Sequence, residues 1–177
     1  MSDQWVVGVV VVALLLGLLL APRREGLPGE GQFPIVGQPA PPFALRGLSD
    51  SWRLADHRGQ PLVIAFWTTW CGACVKDLDV LESFHRQCRG SVQVVGVCPE
   101  RWPDVAEIAA AQRISFPLLY DPGAAVTARY QLTDHLRYPF TVFVDGSGRV
   151  VGVWAVALRD VDHLRQLLAR TSLLPAE

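Results

Sequence analysis

The sequence predicts an α/β domain, a central mixed β-sheet flanked by helices, preceded by an N-terminal transmembrane helix. Three observations lead there. Apolar runs too short for helices, 62–67 and 91–98, alternate with stretches of helical spacing, the pattern of parallel strands joined by helical crossovers. Two later apolar runs meet at Asp145-Gly146-Ser147-Gly148, a tight-turn signal that makes the last strand pair an antiparallel hairpin. Trp5 to Ala21 is an uncharged apolar run of 17 residues, about 26 Å long as a helix and at the short end for a bilayer core.

The elements follow in order. A cleaved signal peptide needs a positively charged start and small-residue cleavage positions. Ser2-Asp3-Gln4 carries no positive charge and no Ala-x-Ala follows, so residues 1–21 read as a retained anchor. Between Pro22 and Pro42, six of 21 residues are Pro and four are Gly, a composition that cannot hold a helix. The linker is placed at 22–38 and the folded domain at 39–177. Phe43-Ala44-Leu45 and Ser51-Trp52-Arg53-Leu54 read as a short hairpin over one sheet edge. The central strand is 62–67 and the next helix 72–88, with Val75, Leu78, Leu81 and His85 near helical spacing. Ser91 to Cys98 is a second buried strand, parallel to the first. Pro103 suits a helix first turn, and that helix runs to Arg113. A short strand over 115–120 and a helix over 123–130 come next. Tyr138-Pro139 leads into strand 140–144, which pairs back with 149–155. Val161, Leu164, Leu167 and Leu168 mark a closing amphipathic helix.

Composition narrows the function. The chain has 177 residues, a net charge of −1 and no basic run, so nucleic acid is not an expected partner. Four cysteines are too few for a disulfide scaffold, and there is no internal repeat.

Cys71 and Cys74 stand where the central strand hands over to a helix. A helix N-terminus offers unpaired N–H groups and the positive end of its dipole, both of which favour a thiolate. Strand, Cys-x-x-Cys, helix is the redox reading of this spacing. Half of a zinc site looks the same, but zinc needs a second ligand pair. Cys88 and Cys98 are separated by nine residues of mixed sequence and do not supply one. The helix carries Cys88 about 21 Å from the cysteine pair, while the parallel strand ending at Cys98 returns towards it. Those two cysteines therefore sit at opposite poles and read as buried structural thiols.

Phe66-Trp67-Thr68-Thr69-Trp70-Cys71-Gly72-Ala73-Cys74 resembles the active-site segment of thioredoxin-fold proteins, and more narrowly that of the membrane-anchored TlpA/ResA-like thiol–disulfide oxidoreductases. Leu54-Ala55-Asp56-His57-Arg58-Gly59-Gln60-Pro61 is similar to that family's lead-in to the strand. Tyr138-Pro139-Phe140-Thr141-Val142-Phe143-Val144-Asp145-Gly146 is similar to its proline loop and following strand. The resemblance spans residues 38–170 and implies a thioredoxin-like fold.

It also implies roles. Cys71 is the attacking thiolate and Cys74 the resolving thiol, together forming a redox-active disulfide. Asp77 stands where the family carries a Glu that accepts the proton of the second cysteine. Three residues on, it lies on the Cys74 face of the helix; a solvated carboxylate is the plainer reading. Ala65 occupies the place of thioredoxin's buried Asp, and Asp79 that of the family's helix proline. Pro139 matches the family's cis-proline, with Tyr138 before it holding a substrate strand by β-augmentation. Trp70, Gly72 and Ala73 complete the expected substrate contact, although Trp67 and Trp70 also read as core packing that shields the site. No metal and no organic cofactor is implied.

Expected partners are protein substrates with thiols or disulfides and a membrane or thioredoxin-type electron donor. The resemblance favours a reductant, in cytochrome c maturation or envelope disulfide homeostasis, with the catalytic domain extracytoplasmic. Arg23 and Arg24 just after the span point the other way by the positive-inside rule. Two alternatives stand beside this reading. A Sco-like copper-binding metallochaperone would use both cysteines and His135, although those proteins space their cysteines as Cys-x-x-x-Cys. A peroxiredoxin-like peroxidase would use Thr68, three residues before Cys71, but its motif proline would fall at Ile64.

Overall fold

In the computed structural model, which describes residues 33–174 apart from Arg89, one mixed sheet carries the domain. Its strands are β1 (Ala44–Gly47), β2 (Ser51–Arg53), β3 (Leu62–Phe66), β4 (Gln93–Cys98), β5 (Leu118–Tyr120), β6 (Phe140–Val144) and β7 (Val150–Trp154). The helices are α1 (Gly72–Cys88), α2 (Trp102–Ala111), α3 (Ala125–Gln131) and α4 (Val161–Arg170). Sheet order is β2-β1-β5-β4-β3-β6-β7. β4 runs parallel to β3 and β5, and the other neighbours are antiparallel. This is the expected thioredoxin-like arrangement. The expected anchor at 1–21 and most of the linker lie outside the described residues. No helix among the described residues is long and apolar enough to cross a membrane.

Every residue of β3 is buried, because both faces of the sheet are covered. Successive side chains alternate sides. Val63 and Ala65 join the core beneath α1, α2 and α4, while Leu62, Ile64 and Phe66 join the core on the other face. A continuous apolar run is the signature of such a strand. α1 presents Cys74, Leu78, Leu81 and Phe84 to the sheet, all buried at helical spacing. It continues unbroken through the exposed Asp79, where the family resemblance would place a proline.

The second face is closed by the chain that leads into the domain. Ile35 is buried, and Phe33 meets Phe140 edge to face with ring centroids 5.2 Å apart. Gly37 N–H donates to the Val150 carbonyl at 2.7 Å, and Val150 N–H donates to the Gln38 carbonyl at 2.9 Å. The Tyr130 hydroxyl donates to the Pro41 carbonyl at 3.0 Å. Residues 33–38, assigned above to the linker, are thus strapped to the sheet. Each large apolar side chain fully buried contributes about 1.5–3 kcal/mol, which holds a proline-rich segment that has no helix of its own.

Several boundaries move for local reasons. The strand expected over 115–120 pairs only from Leu118, since Pro117 has no N–H to donate and offers only its carbonyl, to Gly96 N–H at 2.9 Å. The helix expected from Gly123 starts at Ala125. Gly123 and Ala124 take left-handed φ of 68° and 56° in a 3-10 turn. The buried Asp121 carboxylate then accepts the Val126 and Thr127 N–H groups, both at 2.9 Å, and starts the helix.

α1 is bolted to the loop between α2 and β5 by Glu82, which accepts the Ser115 N–H and hydroxyl, each at 2.7 Å, and pairs with Arg86. Burial opposes the charged form of Glu82, but Ser115 and Arg86 outweigh it and hold the carboxyl below its ordinary range. A depressed carboxyl stabilises the fold above its unfolded pKa, about 4.3, and the contribution is lost as pH falls through the native value. Thermal unfolding followed from pH 7 into the acid range is expected to show a lower midpoint for Glu82→Gln at neutral pH, and a shallower acid decline than the parent.

Candidate active site

β3 ends at Phe66 and delivers the chain into a turn, Trp67 to Cys71, that precedes α1. Trp67 extends the pairing once more, its N–H donating to the Val97 carbonyl at 3.0 Å. Its indole is buried over Gly96, where a Cβ would come within 3.1 Å of the indole nitrogen and 2.6 Å of Leu118. The glycine in β4 is therefore what lets the indole come so close to the strand behind the turn.

Cys71 caps α1. Its carbonyl accepts Val75 N–H at 3.0 Å, and its sulfur accepts Cys74 N–H at 3.2 Å. That is the geometry of an N-cap side chain, here with sulfur in place of oxygen. A thiolate formed at this position meets a donor already aimed at it and the positive end of a helix of 17 residues. Cys71 and Cys74 form a disulfide with Cα atoms 5.2 Å apart. The two sulfurs are not equivalent: Cys71 is half-buried and Cys74 has no exposure.

Asp77 is buried, at 4% exposure, which removes the solvated-carboxylate reading. It lies one helical turn beyond Cys74, where neighbouring Cβ atoms stand about 5–6 Å apart. Oδ1 accepts Leu158 N–H at 3.0 Å, while Oδ2 is buried without a partner. Burial raises the carboxyl from 3.8 to about 7, against the opposing pull of the Leu158 N–H. The segment that supplies this N–H is pinned nearby, where Trp154 Nε1 donates to the Ala157 carbonyl at 3.4 Å.

The second wall of the site is the loop before β6. The Tyr138–Pro139 bond is cis, as the resemblance implies. Tyr138 touches Trp70 edge to face, with ring centroids 6.1 Å apart, so the active-site turn and the proline loop meet through these rings. Trp70 is 73% exposed. The expectation that it packs in the core holds for Trp67 alone: a ring one residue before the helix cap has no sheet beneath it. Gly72 and Ala73 are also exposed, and Pro139 is half-buried. The phenol of Tyr138 turns inward. Burial, and after it the negative charges of Asp121 and Glu100, push its pKa up.

Other expected residues fall elsewhere. Cys98 is buried and Cys88 half-buried, and neither is disulfide-bonded. Cys88 is only partly covered because it ends α1. His135, the third ligand of the copper reading, is exposed, and no three His, Cys, Asp or Glu side chains among the described residues are grouped to hold a metal ion. Ile64 is a core residue of β3, and Thr68 is buried with its hydroxyl unpartnered.

Two participants were not foreseen. One is the backbone of Leu158, distant in sequence and identifiable only from the fold. The other is Glu100, whose Oε2 accepts Thr69 N–H at 2.7 Å and the Cys98 thiol at 3.1 Å. It stands just beyond the carboxyl end of a parallel strand, the edge where α/β sites gather, and that position is the signal that could have found it.

Comparison with known proteins agrees with this geometry. The model of the AhpC/TSA family matches residues 36–153. The thiol:disulfide interchange protein DsbE of Xylella fastidiosa is 31% identical over 153 residues, covering 82% of this chain and 73% of that protein. The thiol-disulfide oxidoreductase ResA of Geobacillus thermodenitrificans is 28% identical over 152 residues, covering 84% and 86%. Among solved structures, the "putative thiol:disulfide interchange protein DsbE" from Chlorobium tepidum superposes with a TM-score of 0.67 at 25% identity, over 75% of this chain and 94% of that one.

The raised Asp77 pKa has a measurable consequence. Between 3.8 and about 7 the native protein holds a proton on Asp77 that the unfolded chain has released. Native binding of the extra proton makes stability fall as pH rises through that window. Urea unfolding of the oxidised protein at several pH values is expected to show this decline, and Asp77→Asn, which keeps an acceptor for Leu158 N–H, is expected to lose it.

Proposed function

This chain belongs to the AhpC/TSA family and is a thiol–disulfide oxidoreductase, and from that premise we propose that it acts as a reductant of protein disulfides. The observation that carries the direction is the buried Asp77 carboxyl one turn from Cys74. A strong oxidant is one whose reduced, thiolate-bearing form is stabilised. A carboxyl buried beside the resolving cysteine works against a stable thiolate there, which favours the disulfide within this chain and electrons given to the substrate.

The exchange runs as follows. The Cys71 thiolate attacks one sulfur of a substrate disulfide, forming a mixed disulfide and releasing the other substrate sulfur as a thiolate. Cys74 passes its proton to Asp77 and attacks the Cys71 sulfur. The Cys71–Cys74 disulfide forms, the second substrate sulfur leaves, and two electrons have moved to the substrate. Asp77, with a pKa of about 7, can both take and return that proton near neutrality. The half-buried Cys71 is reachable by a protein partner, whereas the fully buried Cys74 is reachable only from within the mixed disulfide. Trp70, Gly72, Ala73, Tyr138 and Pro139 form the surface on which the substrate segment lies, paired to the backbone at Tyr138.

The run from Trp5 to Ala21 serves in this reading as a retained anchor, with the domain on the extracytoplasmic side. A membrane or thioredoxin-type donor returns electrons to the pair. Cytochrome c maturation and envelope disulfide homeostasis both need such a reductant.

Two measurements test the proposal. Equilibration of the Cys71–Cys74 pair with glutathione is expected to place its potential near that of thioredoxin, about −270 mV; a value near −120 mV would mean a disulfide donor. In cells, Cys74→Ser is expected to accumulate mixed disulfides through Cys71 with envelope proteins. Equal trapping by Cys71→Ser would overturn the nucleophile assignment, and cytoplasmic partners would overturn the placement.

A further inference from the structure

We propose that Glu100 is a positioning residue for this exchange: its carboxylate holds the turn that presents Cys71 and, as a negative charge beside it, sets how readily the Cys71 thiolate forms.

The Glu100 carboxylate binds two donors through one oxygen. Oε2 accepts the main-chain N–H of Thr69 at 2.7 Å, and the same oxygen accepts the thiol of Cys98 at 3.1 Å. Thr69 lies two residues before Cys71, so the anchored amide is within about 7 Å of Cys71 along the chain, with the carboxylate one hydrogen bond beyond it. That reach is comparable to the screening length of about 8 Å at physiological salt, and both hydrogen bonds are partly buried, where screening is weaker. Neither donor is a cation. Among the described residues Glu100 forms no salt bridge. Burial keeps the Cys98 thiol protonated, so it remains a donor. Cys98 at the end of β4, Asp121 before α3 and Tyr138 on the proline loop lie on this side of the turn, and Asp77 stands on the helix side. The cations next to this cluster in sequence, Arg101 and Arg137, are both exposed, where solvent screens them, and neither pairs with the carboxylate.

Two effects then oppose each other at Cys71. The Cys74 N–H and the end of α1 draw a thiolate to the sulfur, while Glu100 repels it by like charge. The helix makes the nucleophile available, and the carboxylate keeps the thiolate from becoming so stable that it would no longer attack and give up electrons well. The Cys98 thiol tempers that repulsion by donating to the carboxylate. This gives a function to a buried cysteine that the exchange itself does not use.

The inference rests on thiol–disulfide exchange at Cys71 and not on its direction. Glu100→Gln tests it, because the amide oxygen still accepts Thr69 N–H while the charge is gone. The readouts are the pH dependence of Cys71 alkylation in the reduced protein and the exchange constant with glutathione. Glu100→Gln is expected to lower the Cys71 pKa by about half a unit, roughly threefold more thiolate, and to shift the exchange constant about threefold towards the reduced pair. At 29.6 mV per tenfold that is about 14 mV upward. A folded Glu100→Gln with both quantities unchanged, or moved the other way, overturns the proposal. If that variant does not fold, Cys98→Ala takes its place. It strips the thiol donor and leaves the carboxylate less compensated, so both quantities are expected to move in the opposite sense, and no movement overturns the proposal equally. The difference from wild type is read independently of the absolute potential that tests direction.

Discussion

In the proposed exchange, the sulfur of Cys71 is at once the reacting atom and the cap of α1. Its carbonyl accepts the first helical N–H and its side chain accepts the N–H of Cys74. Capping places the sulfur at the positive end of the helix and brings Cys74 within disulfide reach, one turn on. The rest of the domain maintains that handover. β3 must end where α1 begins, so β3 is locked between β4 and β6 in the sheet and buried on both faces. Gly96 admits the Trp67 indole behind the turn, and Glu82 ties α1 to the loop between α2 and β5.

Burying a carboxyl one turn from Cys74 has a cost that the structure only partly offsets. Asp77 receives one backbone donor from Leu158, and its other oxygen receives none. An unsatisfied buried acceptor costs about 1–3 kcal/mol, and the group answers by holding its proton to about pH 7. In the proposed exchange, that cost yields a proton acceptor whose pKa lies near neutrality. Glu82, on the same helix, shows the contrasting case. It is also buried, but Ser115 and Arg86 satisfy it and it stays ionised to lower pH. One helix therefore carries two buried acids with opposite titration, decided by what each one meets.

Much of the architecture was legible along the chain. α1 runs from Gly72 to Cys88 as its periodicity indicates, and β6 covers Phe140–Val144. The cysteine pair, the cis-proline and the order of strands and helices were all reached from short-range pattern and from resemblance. The misses share a cause. The strap at 33–38 has the composition of a linker, and only the apolar face waiting beneath Ile35 makes it part of the fold. The start of α3 was set by Asp121, whose side chain competes with the preceding backbone for the first helical N–H groups. Trp70 and Trp67 look equivalent in sequence, yet one points to solvent and the other lies over a glycine on a neighbouring strand.

By itself the sequence determined the reactive chemistry and the local path that presents it: a buried strand, a turn, a helix and two cysteines one turn apart. Those depend on residue type and on spacing over a few positions, which the chain carries wherever it goes. Tertiary structure alone decided the environment of the pair. Leu158 reaches Asp77 across 81 residues of sequence, and Glu100 reaches Thr69 across 31. Charge and burial act through space, so the acidic groups around the cysteines could be placed only once the sheet had brought their strands together.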